Sequence, residues 1–466
     1  MWRGSSCMSD LKSKTGEILK IFSKEFLFVC SFCLFAAPLF ASESLQNTEA
    51  TATTQAAPSS QSPKLGISSN PGAVNVTTGS GQAQGFFLNQ LGIKDNHGIR
   101  LGGLWVSDVN SLMSGGVEPG KWSVNSLLIL DLNIDTEKLF HWKGGSFGAD
   151  FLQFNGQDTN GQAGSVQGYN SLPGPNPLNR SELYELWYRQ EVLDGKLVFR
   201  IGKTVPTFDF GNLLRPVTPL HEYRAIPAVS GLIYTPIFVN PSMLGVLPGY
   251  YNSAYGLTIN VAPNKNWYFS YGVYDGNLAR GKQTGLSLLP EFNGYYFNIG
   301  EMGSYWHLGK AKQPGMVGAG IWYQTGTLQG APGVSENGTY GFYAFGSQRL
   351  WFRHPEKDNS GISAFFQFGG NATATLPINR YVGGGLTAFD LVPKRPLDSM
   401  GLGVSLSWLN PSLFTNSTEL LFQAYYQAHV IEGLYLQPVI SYIPNPGALP
   451  NLHNAWASTL RLVFLF

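Results

Sequence analysis

Between Glu419 and His429 the chain alternates with a period of two: Leu420, Phe422, Ala424, Tyr426 and Ala428 interleave with Glu419, Leu421, Gln423, Tyr425, Gln427 and His429. That is the period of an extended strand, whose successive side chains point to opposite faces. The next segment repeats it, with Leu434, Leu436, Pro438, Ile440 and Tyr442 against Tyr435, Gln437, Val439 and Ser441. So do Val124, Leu128, Leu130, Leu132 and Ile134 against Asn125, Asp131 and Asn133. Beyond residue 95 such segments recur between clusters of Gly, Pro, Asn and Asp, and helical spacing is nearly absent. The pattern predicts an all-β chain with strands at 98–108, 121–134, 145–155, 182–192, 195–203, 254–262, 266–275, 292–301, 315–325, 339–353, 360–370, 380–390, 399–410, 417–430, 433–443 and 454–466.

Composition decides what the dry face touches. A soluble sandwich shows the same alternation but covers its wet face with Lys and Glu. Here charged residues are 13% of the chain, aromatics 14%, and Gly numbers 56. Mean hydropathy is −0.05, which excludes a bundle of membrane-spanning helices. Trp267, Tyr271, Trp351, Trp408, Tyr442 and Trp456 fall near strand ends, as in the interfacial girdles of outer-membrane barrels. A sheet edge in hydrocarbon would leave N–H and C=O groups unpaired at several kcal/mol each, so the sheet must close. The expectation is a transmembrane antiparallel β-barrel of about sixteen strands with long extracellular loops, wide enough to leave a water-filled channel.

Connection lengths test this, because such barrels alternate short periplasmic turns with longer outer loops. The tight connections at 194–195, 263–265, 354–359 and 431–432 fall on one parity, and the long segments 156–181, 204–253, 276–291, 326–338, 371–379 and 444–453 on the other. Two depart: 302–314 is long where a turn belongs, and 411–416 is short where a loop belongs. Residues 232–238 also read as a strand, but Pro206, Pro216, Pro219, Pro227, Pro236, Pro241 and Pro248 argue for a loop over 204–253, which would narrow the pore if it folds inward.

Residues 1–41 read as a signal peptide: Lys12, Lys14, Lys20 and Lys24 precede the apolar run 26–40, which is short for a bilayer span. A membrane anchor is the other reading of this segment, and Met8 is a second candidate start. Cys7, Cys30 and Cys33 all lie within it, and Val29 and Phe32 are too large for a lipoprotein cleavage site. Residues 42–84, rich in Ser, Thr, Gln, Ala and Pro, read as a flexible linker, and 85–466 as the barrel. Residues 1–41 hold five bases and three acids, so the rest carries 25 bases against 26 acids, and no basic stripe for nucleic acid exists. The terminal Phe466 on the last strand resembles the signal read by the barrel-assembly machinery, which with outer-membrane lipid is an expected partner.

The polar faces supply candidate chemistry. Glu185, Trp187, Arg189 and Glu191, with Leu183, share one face of a strand, and Arg200 and Lys203 follow on the next. Opposite charges on adjacent strands would orient a solute in the lumen; simple wall ion pairs are the alternative. Gln423, Tyr425 and Gln427, with Glu419 and His429, offer amides and a phenol to sugar hydroxyls, or are ordinary lining. Asp209, Arg215, Glu222 and Arg224, among Phe208, Phe210 and Tyr223, would form an eyelet on an inward loop, or sit on a solvated outer one.

Catalytic signals are poor. The histidines lack HExxH spacing, no GxSxG occurs, and the glycine-rich run at 383–388 lies inside a strand. Glu182 and Glu185 are an odd interval apart and should face opposite sides. No metal, cofactor or enzymatic activity is expected.

The string Glu185-Leu186-Trp187-Tyr188-Arg189-Gln190, followed by Gly195-Lys196-Leu197, Arg200-Ile201-Gly202-Lys203 and Asp209-Phe210, resembles the carbohydrate-selective porin family. So does Gln437-Pro438-Val439-Ile440-Ser441-Tyr442-Ile443-Pro444-Asn445-Pro446-Gly447. The likeness covers about residues 85–466. It implies a sixteen-stranded outer-membrane barrel that passes monosaccharides, commonly glucose, and related neutral solutes by passive diffusion. Ser441 where Gln would stand, and the lack of Gly before Arg461, depart from the pattern and bear on sugar choice. A general or adhesive barrel without sugar preference is the alternative function, and a hydrolase ranks last.

Overall fold

The computed structural model describes residues 98–174, 176–211, 213, 230–249, 251–264, 266–355, 360–431 and 433–465. The expectations for the signal peptide, the linker, Arg215, Glu222, Arg224 and Phe466 lie outside these residues. The described strands are β1 (Ile99–Ser114), β2 (Trp122–Asp135), β3 (Gly145–Asn155), β4 (Asn179–Val192), β5 (Leu197–Thr204), β6 (Ala254–Val261), β7 (Trp267–Asp275), β8 (Tyr296–Leu308), β9 (Gln313–Gln329), β10 (Ser335–Phe352), β11 (Gly361–Asn371), β12 (Ile378–Phe389), β13 (Ser399–Leu409), β14 (Thr418–Ile431), β15 (Leu434–Ile443) and β16 (Ala455–Leu465). Each pairs antiparallel with its sequence neighbours, and β16 returns to β1, so the sheet is a closed barrel with no edge.

The period-two pattern maps onto the wall as expected. Along β14, Glu419, Leu421, Gln423, Tyr425 and Gln427 are buried inside the barrel, while Phe422 is exposed on the outer surface. Leu402, Ile321, Val124 and Leu130 likewise lie exposed on neighbouring outer faces, the surface a lipid belt requires. Tyr442 and Trp456 stack on that outer side with ring centroids 4.4 Å apart.

The structure removes one anomaly of connection length. β8 runs on to Leu308 and β9 starts at Gln313, so the connection expected at 302–314 shrinks to 309–312. β9 and β10 also approach each other beyond the expected strands, reducing the loop at 326–338 to 330–334.

A β-bulge alters the faces of β4. Asp150 and Phe151 of β3 pair with Glu185 and Leu183, leaving Tyr184 as the extra residue. Leu183 therefore lies exposed outside and Tyr184 buried inside, the reverse of the faces expected from strict alternation. The same inserted residue puts Glu182 and Glu185 on one buried inner face despite their odd spacing.

In the long connection after β5, residues 232–238 form no strand; they contain the 3₁₀ turn Thr235–Ile237, followed by Pro241–Met243. Leu232, Tyr234, Ile237, Met243 and Val246 are all buried, so the described part of this loop fills the interior.

Candidate functional site

Two connections fold into the lumen and narrow it: 156–178 between β3 and β4, and the described residues of 205–253 between β5 and β6. They pair with each other, Ser171 N donating to Ile233 O at 2.7 Å and Thr235 N to Gly168 O at 3.0 Å. The wall holds both by polar side chains. Glu419, on β14, accepts from Ser165 Oγ at 2.8 Å, Val166 N at 2.9 Å, Gln167 N at 3.1 Å and, from the loop after β15, Gly447 N at 2.7 Å. A buried carboxylate with its lone pairs so occupied is a firm anchor, since charged acceptors make the stronger hydrogen bonds.

Two repeats of the pleat further along, Gln423 Oε1 accepts from Ile233 N at 2.6 Å and Tyr234 N at 3.1 Å. Its Nε2 donates to Tyr169 O and Ser441 Oγ, both at 2.9 Å. Gln427 Nε2 donates to Gln437 Oε1 at 2.6 Å, and Gln437 Nε2 to Gly231 O at 2.6 Å. Tyr425 packs against Gly231. Gln423, Tyr425 and Gln427 thus face the lumen, but Gln423 is spent on the inward loops and on Ser441 of β15, making the four hydrogen bonds an amide can readily make, and Gln427 bonds Gln437, which in turn holds Gly231.

Inward glycines let the loop lie flat on the wall. A Cβ on Gly403 would meet Leu232 Cδ1 at 2.5 Å and Tyr234 OH at 2.8 Å, and one on Gly369 would collide with Asn240 and Ser242. Asn240 Nδ2 in turn donates to Phe368 O at 2.9 Å, and Asn371 Nδ2 to Ser242 O at 2.7 Å. At the closing seam, Asn170 of the first inward loop donates to Asp108 Oδ2 at 2.9 Å and Asn110 Oδ1 at 2.7 Å.

The opposite wall carries charge. Asp131, Asp150 and Glu185 are successive cross-strand partners on β2, β3 and β4, all facing inward. Glu185 Oε1 accepts from Val205 N at 3.0 Å, tying down the start of the second inward loop. Asp209 pairs with Arg200, whose guanidinium lies 5.6 Å from the centroid of the Trp187 ring, and Thr258 Oγ1 donates to Asp209 Oδ2 at 3.2 Å. Arg189 pairs with Glu191 on the same face. Glu301 on β8 accepts from Gly211 N at 2.6 Å, Tyr268 OH at 2.8 Å and Tyr343 OH at 2.7 Å.

Trp187, Arg200 and Asp209 are therefore linked beside Glu185 at the start of the second inward loop, while Arg189 and Glu191 lie further along the same inner face, toward the β4–β5 turn. Lys203 does not share that face. It stands opposite Leu186 and Tyr255, on the outer face, because it is an odd interval from Arg200. Its ammonium donates to Leu183 O and Gly285 O, each at 2.6 Å.

Sequence reasoning missed Asp108, Arg461, Asp131, Asp150 and Glu301. Each carried a signal, a lone charge on the wet face of a strand whose other face is apolar.

Residues 126–466 match the model of a family described as carbohydrate-selective porin, OprB family. Porin B of Pseudomonas aeruginosa is 22% identical over 414 residues, covering 78% of this chain and 86% of that protein. Among solved structures, Pseudomonas putida OprB at high pH superposes with a TM-score of 0.69 at 18% identity, over 82% of this chain and 97% of the other. The low-pH structure of the same protein gives 0.53 at 14% identity with the same coverage. These likenesses are of fold. The family match spans nearly the whole barrel, and the chain belongs to the carbohydrate-selective porin, OprB family: an outer-membrane porin selective for sugars.

Proposed function

We propose that small neutral sugars cross by passive diffusion along the β3–β5 side of the constriction, touching Trp187, Arg189, Glu191 and Arg200, with Glu185 and Asp209 fixing the rim. One contrast supports this. Gln423, Gln427 and Gln437 are at most 3% exposed and engaged with the inward loops or with each other. Arg189 and Glu191 keep 29% and 19% of their side-chain surface exposed, and Arg200 and Asp209 12% each. An indole face suits the C–H side of a pyranose, and paired charges offer hydroxyl partners without a net field to favour ions. Residues 1–41 would direct export and 42–84 would tether the barrel, and assembly would use its final strand.

The test is swelling of proteoliposomes in neutral sugars against charged solutes of matched size. Faster entry of the sugars is expected, with Trp187→Ala reducing that preference and Arg189→Ala or Arg200→Ala shifting ion selectivity toward cations. Equal entry of all solutes of one size would make the protein a general porin.

A further inference from the structure

β5 and β6 are eight residues each, against eighteen in β10. At about 3.3 Å per residue and a tilt of roughly 40°, eight residues rise about 20 Å, short of an apolar band about 25 Å tall. Below the outer rim, this part of the wall stops early. β4 continues alongside the gap up to Asn179.

The loop 276–295 occupies that place. Its 3₁₀ turn Thr284–Leu286 packs on β4 and β6. Thr284 Oγ1 donates to Ser253 O at 2.8 Å and Gly285 N to Asn252 Oδ1 at 2.7 Å, so the turn is docked and does not project freely. Tyr255, on the outer face of β6 by register, donates its hydroxyl to Leu288 O. The chain therefore bends over the outside of the barrel, where Leu286 is 44%, Leu288 74% and Leu289 75% exposed.

Lys203 gives a second, independent reason. It sits on the outer face near the end of β5, yet is 1% exposed, because Gly285 O and Leu183 O take up its ammonium. An ammonium facing hydrocarbon without such partners is costly. The loop supplies one of its two carbonyl acceptors, Gly285 O.

We propose that segment 284–290 is a lipid-embedded patch of the wall, with Leu286, Leu288 and Leu289 in contact with the acyl chains of the outer leaflet and the backbone sealing Lys203 from them. The patch continues the apolar surface of Leu186, Leu257 and Ile201 upward and makes good the missing height.

The experiment uses the full chain with Cys7, Cys30 and Cys33 changed to serine, carrying a nitroxide at Leu288→Cys or Leu289→Cys, reconstituted in bilayers. Ile201→Cys on the outer wall is the lipid reference and Glu118→Cys in the loop 115–121 the water reference. Power saturation should show both leucine sites open to oxygen and closed to a water-soluble nickel chelate, as at Ile201. Nickel accessibility matching that at Glu118 would overturn the proposal. So would spin–spin broadening between labels that disappears on dilution with unlabelled protein, which would assign the patch to a second copy of the chain.

Discussion

Asp108 and Arg461 stand directly opposite each other on β1 and β16, the two strands that close the barrel, joined at 2.8 Å through Nε and 2.7 Å through Nη2. Their side chains are 0% and 2% exposed. The pair ties the first strand to the last, and Asn170 on Asp108 ties the first inward loop to that seam.

Breaking this pair leaves a buried charge without its partner. Asp108→Ala or Arg461→Met should each cost about 3–5 kcal/mol, and the double variant less than the two together. Thermal unfolding of the four proteins in detergent checks this; additive losses would mean the two side chains act independently.

Glu419→Ala should release residues 165–167 and Gly447 from the wall. Four hydrogen bonds to a carboxylate are lost, each worth roughly 1.5–3 kcal/mol in a folded protein. Single-channel conductance should rise and discrimination between sugars of different size should fall, with Glu419→Gln in between. Unchanged conductance would show that the loop is held from elsewhere.

Gly369→Ala places a methyl where Asn240 and Ser242 meet the wall. Overpacking of this kind costs about 1–3 kcal/mol. Displaced toward the axis, the loop should lower conductance, and Gly300→Ala on β8, where an added Cβ meets nothing within 4 Å, is the control for handling effects.

The turn 390–398 supplies a pH dependence. Burial alone would raise the Asp398 carboxyl, but hydrogen bonds from Arg395, Tyr426 and His429 N outweigh it and hold it below the usual carboxylate value. A lowered folded-state pKa means stability that is present above the unfolded value, near 3.9, and lost as pH falls through the folded one. The melting-temperature gap between the wild type and Asp398→Asn should be full at neutral pH and narrow below about pH 4. A gap that widens with acid would contradict this sign.

Much of the wall was legible without a fold. Side-chain alternation is local geometry, so Phe422 outside and Gln423 inside followed from their positions alone. The scarcity of charge told lipid from water on the dry face, and sixteen strands followed from the turn residues between them. Tertiary structure decided what the wet face does. Glu419 meets Ser165 across 254 positions and Gln423 meets Ile233 across 190, distances over which no local pattern carries information. It also decided where alternation breaks: the extra Tyr184 exists only relative to β3, so a bulge that turns Glu182 and Glu185 to one side is a property of two strands in register and of neither alone.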